Sequence, residues 1–217
     1  MNNTMTSTPV TYHLFTKAEA DEMARFLGEV FAHRDPAALA VGLTAPEFES
    51  FIRLYGPKAD AEGLTVVARS AATGDIVGAL LAEDPASAPP DGFEQLSPKF
   101  RPIFDILGQL VTEYSAARPK RAGESVHLFL LGVAEGFGGR GIAQRLVAEC
   151  LAHGGRQGCR IAVTEATNMA SQRLFRKLGF VERVRRSYGD HLFEGQACFG
   201  SVADQGGPIL MDREFAP

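Results

Sequence analysis

The chain has 217 residues, 45% apolar and 22% charged, with a formal net charge of −4; that length buries a sizeable core, the composition is ordinary globular, and the acidic balance argues against a general nucleic-acid surface. Cys150, Cys159 and Cys198 are odd in number and lack Cys-x-x-Cys spacing, so neither a disulfide framework nor a metal site is expected. No apolar run reaches membrane-span length and the start lacks the basic and apolar regions of a signal peptide, so the expectation is a cytoplasmic protein that engages no membrane.

Residues 1–8, rich in Asn and Thr, are expected to be disordered, and residues 9–217 to form one domain without internal repeats. Residues 10–15 read as a strand. Thr16 and Glu19 form a capping box opening a helix with Ala20, Met23, Leu27, Val30 and Phe31 on its apolar stripe, ended by Pro36. A second capping box, Thr44 and Glu47, starts a helix to about Tyr55. Residues 64–69 and 76–83, around a turn at 72–75, read as a hairpin, and the Pro-rich stretch 84–92 as a mobile surface loop. Ser97 and Pro98 open a helix with Phe100, Phe104, Leu107, Val111 and Tyr114 at helical spacing, a stripe that reads as core. A strand at 126–133, a helix from about Gly141, strands at 160–165 and 180–187 around a further helix, and a last strand at 209–213 complete an alternating α/β pattern.

The segment after the strand at 126–133 carries the chemistry. Gly136, Gly138, Gly139 and Gly141 let the backbone turn through positive φ and admit an anion, while the following helix points unpaired N–H groups and its positive dipole end at it. Two registers compete for this phosphate cradle. Gly136, Gly138 and Gly141 satisfy the dinucleotide fingerprint GxGxxG, with Glu165 at the distance of a ribose-binding acid, but Glu135 would set a carboxylate beside the pyrophosphate.

In the other register, Gly138, Gly139, Arg140, Gly141, Ile142 and Ala143, preceded by Leu131 and Val133, resemble the Q/RxxGxG/A signature of the GNAT superfamily of acyl-CoA-dependent N-acyltransferases. Gly138 replaces the first Gln or Arg. A second signature follows: Asn168, Leu174, Phe175, Lys177, Leu178, Gly179 and Phe180 resemble the NxxAxxLYxKLGF helix, with Ser171 at its alanine position. Residues 127–133, HLFLLGV, resemble the arylalkylamine N-acetyltransferase branch.

This resemblance implies a single α/β domain with a mixed, mostly antiparallel sheet flanked by helices on both faces. It implies acetyl-CoA as acyl donor and transfer to a primary amine by direct attack in a ternary complex. Leu131, Gly132 and Val133 would pair with the pantetheine, with Gly132 the candidate β-bulge and the Val133 N–H facing the thioester carbonyl. Gly138, Gly139, Arg140, Gly141, Ile142 and Ala143 would hold the pyrophosphate, and Asn168 and Phe175 would lie against the cofactor.

An ammonium must lose a proton before it attacks. His127 is one candidate base: period-two alternation sets it on one face with Phe129, Leu131 and Val133, and the resembling branch uses a histidine there as a proton shuttle. Asp35, in FAHRDP, is the other, resembling a glutamate before proline that acts through water in insect-type enzymes. Phe175 stands where the family carries a tyrosine acid; Ser171, one helical turn earlier, is the candidate substitute, unless the thiolate leaves unprotonated. The favoured reading is an N-acetyltransferase of a small-molecule amine, with a homodimer left open. A GNAT acting on a protein or peptide amine and a catalytically weak acyl-CoA-binding domain are its alternatives.

Overall fold

The computed structural model describes residues 9–118 and 121–215, so the expected disorder of residues 1–8 lies outside the described part. In chain order the elements are β1 (Val10–Leu14), α1 (Ala20–Arg34), α2 (Pro36–Val41), α3 (Ala45–Glu62), β2 (Val66–Ser70), β3 (Ile76–Glu83), α4 (Phe100–Ala117), β4 (Ser125–Val133), α5 (Ile142–Arg156), β5 (Ile161–Ala166), α6 (Met169–Lys177), β6 (Val181–Arg185) and β7 (Ile209–Glu214). The strands form a 7-stranded sheet in the order β1-β2-β3-β4-β5-β7-β6, antiparallel throughout except for the parallel pair β4 and β5. Among the described residues no helix is long and apolar enough to cross a membrane.

Alternation along β3 shows why both faces are covered. Ala79 and Leu81 join Met23 and Leu27 of α1 and Phe51 and Ile52 of α3 in one core, whereas Leu80 and Ala82 join Ile142, Leu146 and Val147 of α5 in the other. With apolar neighbours above and below, all of β3 is buried, as a central strand with helices on both faces must be.

Both capping boxes form, Thr16 with Glu19 and Thr44 with Glu47. Two helical boundaries differ from expectation. The helix opened by Thr44 continues past Tyr55 to Glu62, because burying Tyr55 and Ala59 outweighs the ladder bond lost at Pro57; Gly63, at φ 60°, ends it. After α1, Pro36 starts a new helix as well as ending the old one. Asp35 is the C-cap of α1 and the N-cap of α2, its side chain accepting the Ala38 N–H at 3.0 Å.

The bulge in β4 is not at Gly132. Leu130 pairs with Leu81 and Leu128 with Ala82, so Phe129 is the extra residue, while Gly132 pairs regularly with Ala79. One inserted residue inverts the alternation: His127 lies opposite Glu83 on the α1 and α3 side of the sheet, and Leu131 and Val133 lie opposite Leu80 and Gly78 on the α5 side. His127 therefore does not share a face with Leu131 and Val133.

Gly132 is small for a different reason. A Cβ there would stand 2.8 Å from Leu27 Cδ2 and 3.2 Å from Val30 Cγ1, so its absence lets α1 pack close to the strand. Gly132→Ala is expected to cost about 1–3 kcal/mol through overpacking, read as a lower urea midpoint at unchanged slope. An unshifted midpoint would contradict this packing role.

Candidate active site

Strands β4 and β5 pair only over residues 125–127 and 161–163. Beyond that the Thr164 hydroxyl, in place of a ladder N–H, donates to the Leu128 carbonyl at 2.9 Å, and the strands part. The Ala134 N–H donates to Val77 O on the β3 side, so by strand alternation the polar groups of Val133 point away from β3 into the gap. Consistently, Arg34 Nη1 donates to the Val133 carbonyl at 3.0 Å.

A cleft of about 610 Å³ opens at this gap and runs to the start of α5, lined by Leu131, Gly132, Val133, Gly138, Gly139, Gly141, Ile142 and Ala143, with Asn168 and Ser171 from the opposite wall. Only Gly139 (φ 73°) and Gly141 (φ 77°) use the left-handed region; Gly138 has φ −59°, and Gly136 has no positive φ, so they need not be glycine on conformational grounds. Gly141 is the N-cap of α5 with no side-chain cap, leaving the first-turn N–H groups to meet an anion. Arg140 does not line the cleft: its guanidinium bonds back to Gly136 O at 3.0 Å and sits 4.7 Å from the Phe137 ring centre. Gly141→Val is expected to weaken acetyl-CoA binding at least about tenfold in calorimetric titration, since a β-branched residue at positive φ deforms the cradle at a cost of about 1–3 kcal/mol; unchanged affinity would remove the cradle from the binding site.

Beside the cleft lies a smaller chamber of about 110 Å³ lined by phenylalanine rings, among them Phe48, Phe51, Phe100, Phe104 and Phe129. The cleft and the chamber share Phe31, Asp35, Leu131, Asn168 and Ser171. Asp35 is thus at their junction, 6% exposed, with one oxygen held by the Ala38 N–H and the other by the Thr167 hydroxyl at 2.5 Å. Burial pushes its carboxyl above the usual carboxylate range, against the bonds from Thr167 and the α2 amides. Ser171 is at the junction too, but its hydroxyl donates to Asn168 O at 2.9 Å in the capping box of α6. Phe175 lines the chamber rather than the cleft, 2% exposed and packed edge-on to Phe180.

His127 occupies a separate charged cluster at the far side of the chamber. Nδ1 lies 3.1 Å from Glu83 Oε1 and Nε2 2.6 Å from Glu165 Oε2, and Lys58 of α3 pairs with the other oxygen of Glu83. Burial favours the neutral ring, but the charges and hydrogen bonds of Glu165 and Glu83 outweigh it and hold the pKa at about 10. At neutral pH the ring is an imidazolium with both N–H groups committed, so it has no lone pair for an amine proton.

A family model, the acetyltransferase (GNAT) family, matches residues 29–180. The chain belongs to the GNAT acetyltransferase family. The GNAT fold also appears in solved structures similar to this one. The C-terminal condensation domain of Ebony in complex with β-alanyl-dopamine has a TM-score of 0.87 at 16% identity, over 96% of this chain and 100% of that one. Arylalkylamine N-acetyltransferase 2 from Aedes aegypti has a TM-score of 0.78 at 20% identity, over 95% and 99%. The polyamine N-acetyltransferase of Drosophila melanogaster has a TM-score of 0.77 at 19% identity, over 95% and 100%. No curated protein sequence matches the chain.

The dinucleotide register does not accord with membership of the GNAT family, nor with the geometry. Gly136 does not line the cleft, and Glu165 stands in the charged cluster with His127 instead of at a ribose. Sequence reasoning missed Arg34, although it lies inside FAHRDP, and Thr167, although it precedes the Asn168 cap. Glu83 and Lys58 carried no local signal, because their significance comes from a partner on another element.

Proposed function

We propose that this GNAT protein transfers an acetyl group from acetyl-CoA to the primary amine of a compact, largely apolar small molecule by direct attack in a ternary complex. The observation that carries the reading is the meeting of the glycine-cradle cleft and the phenylalanine-lined chamber at Asp35. Donor and acceptor would approach from opposite sides of one buried carboxylate. The small volume of the chamber favours a small molecule over a protein chain, and the similar arylalkylamine and polyamine acetyltransferases support an amine acceptor.

In this reading Asp35 is the general base, acting directly or through one water. An alkylammonium has a pKa of about 10.4 in water, and desolvation lowers it while raising that of the carboxyl, so burial brings the two together and eases transfer. The freed nitrogen lone pair attacks the thioester carbon. The Val133 N–H, directed into the gap, is positioned to donate to the carbonyl oxygen as charge develops there. The C–S bond then breaks, and with a thiol pKa of about 8.5 the CoA sulfur can leave as thiolate without a tyrosine, matching the hydrocarbon side chain of Phe175; the second proton of the attacking nitrogen, acidic once the C–N bond has formed, passes to that thiolate or to water as the amide forms. Ser171 holds the α6 cap at the reaction junction, and His127 acts at a distance by fixing Glu165.

The test is an initial-rate study varying acetyl-CoA and a 2-arylethylamine together. Lines that intersect are expected. Parallel lines, the mark of an acetyl-enzyme, would contradict direct attack.

A further inference from the structure

We propose that Arg34 is the phosphate-binding cation of the donor cleft, exchanging its bond to the Val133 carbonyl for the pyrophosphate of CoA when the pantetheine arm claims that carbonyl. The proposal rests on reading the cleft as the site of acetyl-CoA.

Arg34 is the last residue of α1. Among the described residues, the charged side chains lining the cleft are Arg34, Asp35 and Glu135, so Arg34 is its one cation. Nη1 donates to Val133 O at 3.0 Å, Nη2 lies 3.8 Å from Glu135 Oε2, and the guanidinium makes no other hydrogen bond among the described residues. A guanidinium presents five N–H donors in a planar fork, so most of this one is uncommitted. Neither acid holds it firmly. The Glu135 side chain is 94% exposed, which leaves the pair screened by solvent, and both oxygens of Asp35 are already held, by the Ala38 N–H and the Thr167 hydroxyl.

Two needs of the donor meet at this side chain. Val133 O is a strand acceptor in the gap where β5 no longer pairs with β4, and an extended arm carrying amides adds to such an edge by placing an N–H on it. Arg34 stands on that carbonyl, so the arm and the guanidinium compete for one place. The pyrophosphate brings negative charge to the start of α5, where Gly138, Gly139 and Gly141 offer backbone N–H groups but no side chain, and Arg140 is turned back onto Gly136 O and the Phe137 ring. Arg34 lies between the two, with Nη2 beside Glu135 in the turn that leads from β4 to the cradle. A planar fork can bind a phosphate through two parallel charge-assisted bonds, which outweigh a single bond to a neutral carbonyl, so the exchange is favourable.

The experiment is calorimetric titration of the full chain, Arg34→Met and Arg34→Lys with CoA, with dephospho-CoA, which keeps the pyrophosphate and lacks the 3′-phosphate, and with pantetheine, which has no phosphate. CoA and dephospho-CoA are both expected to bind Arg34→Met at least about tenfold more weakly than the unaltered chain, and Arg34→Lys with a smaller loss. Pantetheine is expected to move the other way, binding Arg34→Met about threefold or more tightly because the Val133 carbonyl is open to its amide. A purely structural role at the end of α1 would weaken all three ligands alike, and that result overturns the proposal. So do an unchanged affinity for CoA and a pantetheine affinity no better in Arg34→Met. A loss seen with CoA but not with dephospho-CoA overturns it as well, because it puts Arg34 at the 3′-phosphate. Should Arg34→Met not fold, Arg34→Lys is judged by the ratio of CoA to pantetheine affinity, which must fall. An unaltered chain that binds no CoA is a different failure, that of the donor-cleft reading itself.

Discussion

Replacing Asp35 by asparagine is expected to lower kcat/KM for an arylethylamine by about 10²- to 10⁴-fold, the range of a lost general base, while the protein stays folded. Asparagine is as good an N-cap as aspartate, so the bond to the Ala38 N–H that starts α2 survives; the charge is lost, and the amide nitrogen facing Thr167 donates to its hydroxyl where the carboxylate accepted. The direction of the pKa shift sharpens the expectation. Because burial raises the folded-state pKa of Asp35 above its unfolded value, the folded state holds its proton more tightly, and stability from that preference is present at low pH and lost as pH rises through the folded value. At neutral pH the unaltered chain bears the cost of a buried carboxylate, and Asp35→Asn should melt at the same or a higher temperature. The acidic limb of the parental pH–rate profile should lie above the ordinary carboxylate range and vanish in the variant. A variant as active as the parent would remove Asp35 from the chemistry; a rise confined to KM would leave it only an ammonium-binding role.

The largest stability effect is expected at His127. His127→Gln removes the cation shared by Glu83 and Glu165, leaving Lys58, which also pairs with Glu62, to balance three carboxylates, and should cost about 3–5 kcal/mol, the range for breaking a buried pair from one side. The sign of its pH dependence follows from the shift. A histidine whose pKa rises from 6.5 unfolded to about 10 folded contributes fully below about pH 6.5 and loses that contribution as pH climbs through 10. The stability difference between parent and variant, measured by urea unfolding, should therefore be widest near pH 6 and narrow steadily to pH 10. A difference that instead grew with pH would mean that the ring is neutral in the folded protein, and with it the possibility of His127 as base would return.

These two residues also show how far the sequence reaches. Period-two alternation correctly gives β4 as a strand but cannot register an inserted residue, and the bulge at Phe129 turns His127 to the face opposite Leu131 and Val133. The two glycines that need positive φ stand at the start of α5, as the motif implies, whereas Gly132 is required by the approach of α1, a tertiary contact without local signature. Capping boxes place α1 and α3 because both partners are three residues apart in the chain. The charged cluster is invisible for the opposite reason: Lys58, Glu83, His127 and Glu165 come from α3, β3, β4 and β5 and meet only when the sheet forms. Phe175 was legible as a missing acid, but its place in the chamber wall was not, since that depends on how α6 packs against the opened strands.

The central claim is that one buried junction brings a CoA thioester to a small amine. Incubating the protein with acetyl-CoA and 2-(4-hydroxyphenyl)ethylamine, and measuring by mass spectrometry the N-acetylated amine alongside released CoA thiol, tests it most directly. The account predicts amide and thiol in equal amounts, with Asp35→Asn slowing both together. Thiol release without the amide, or no product from the unaltered protein across a panel of small primary amines, would contradict it.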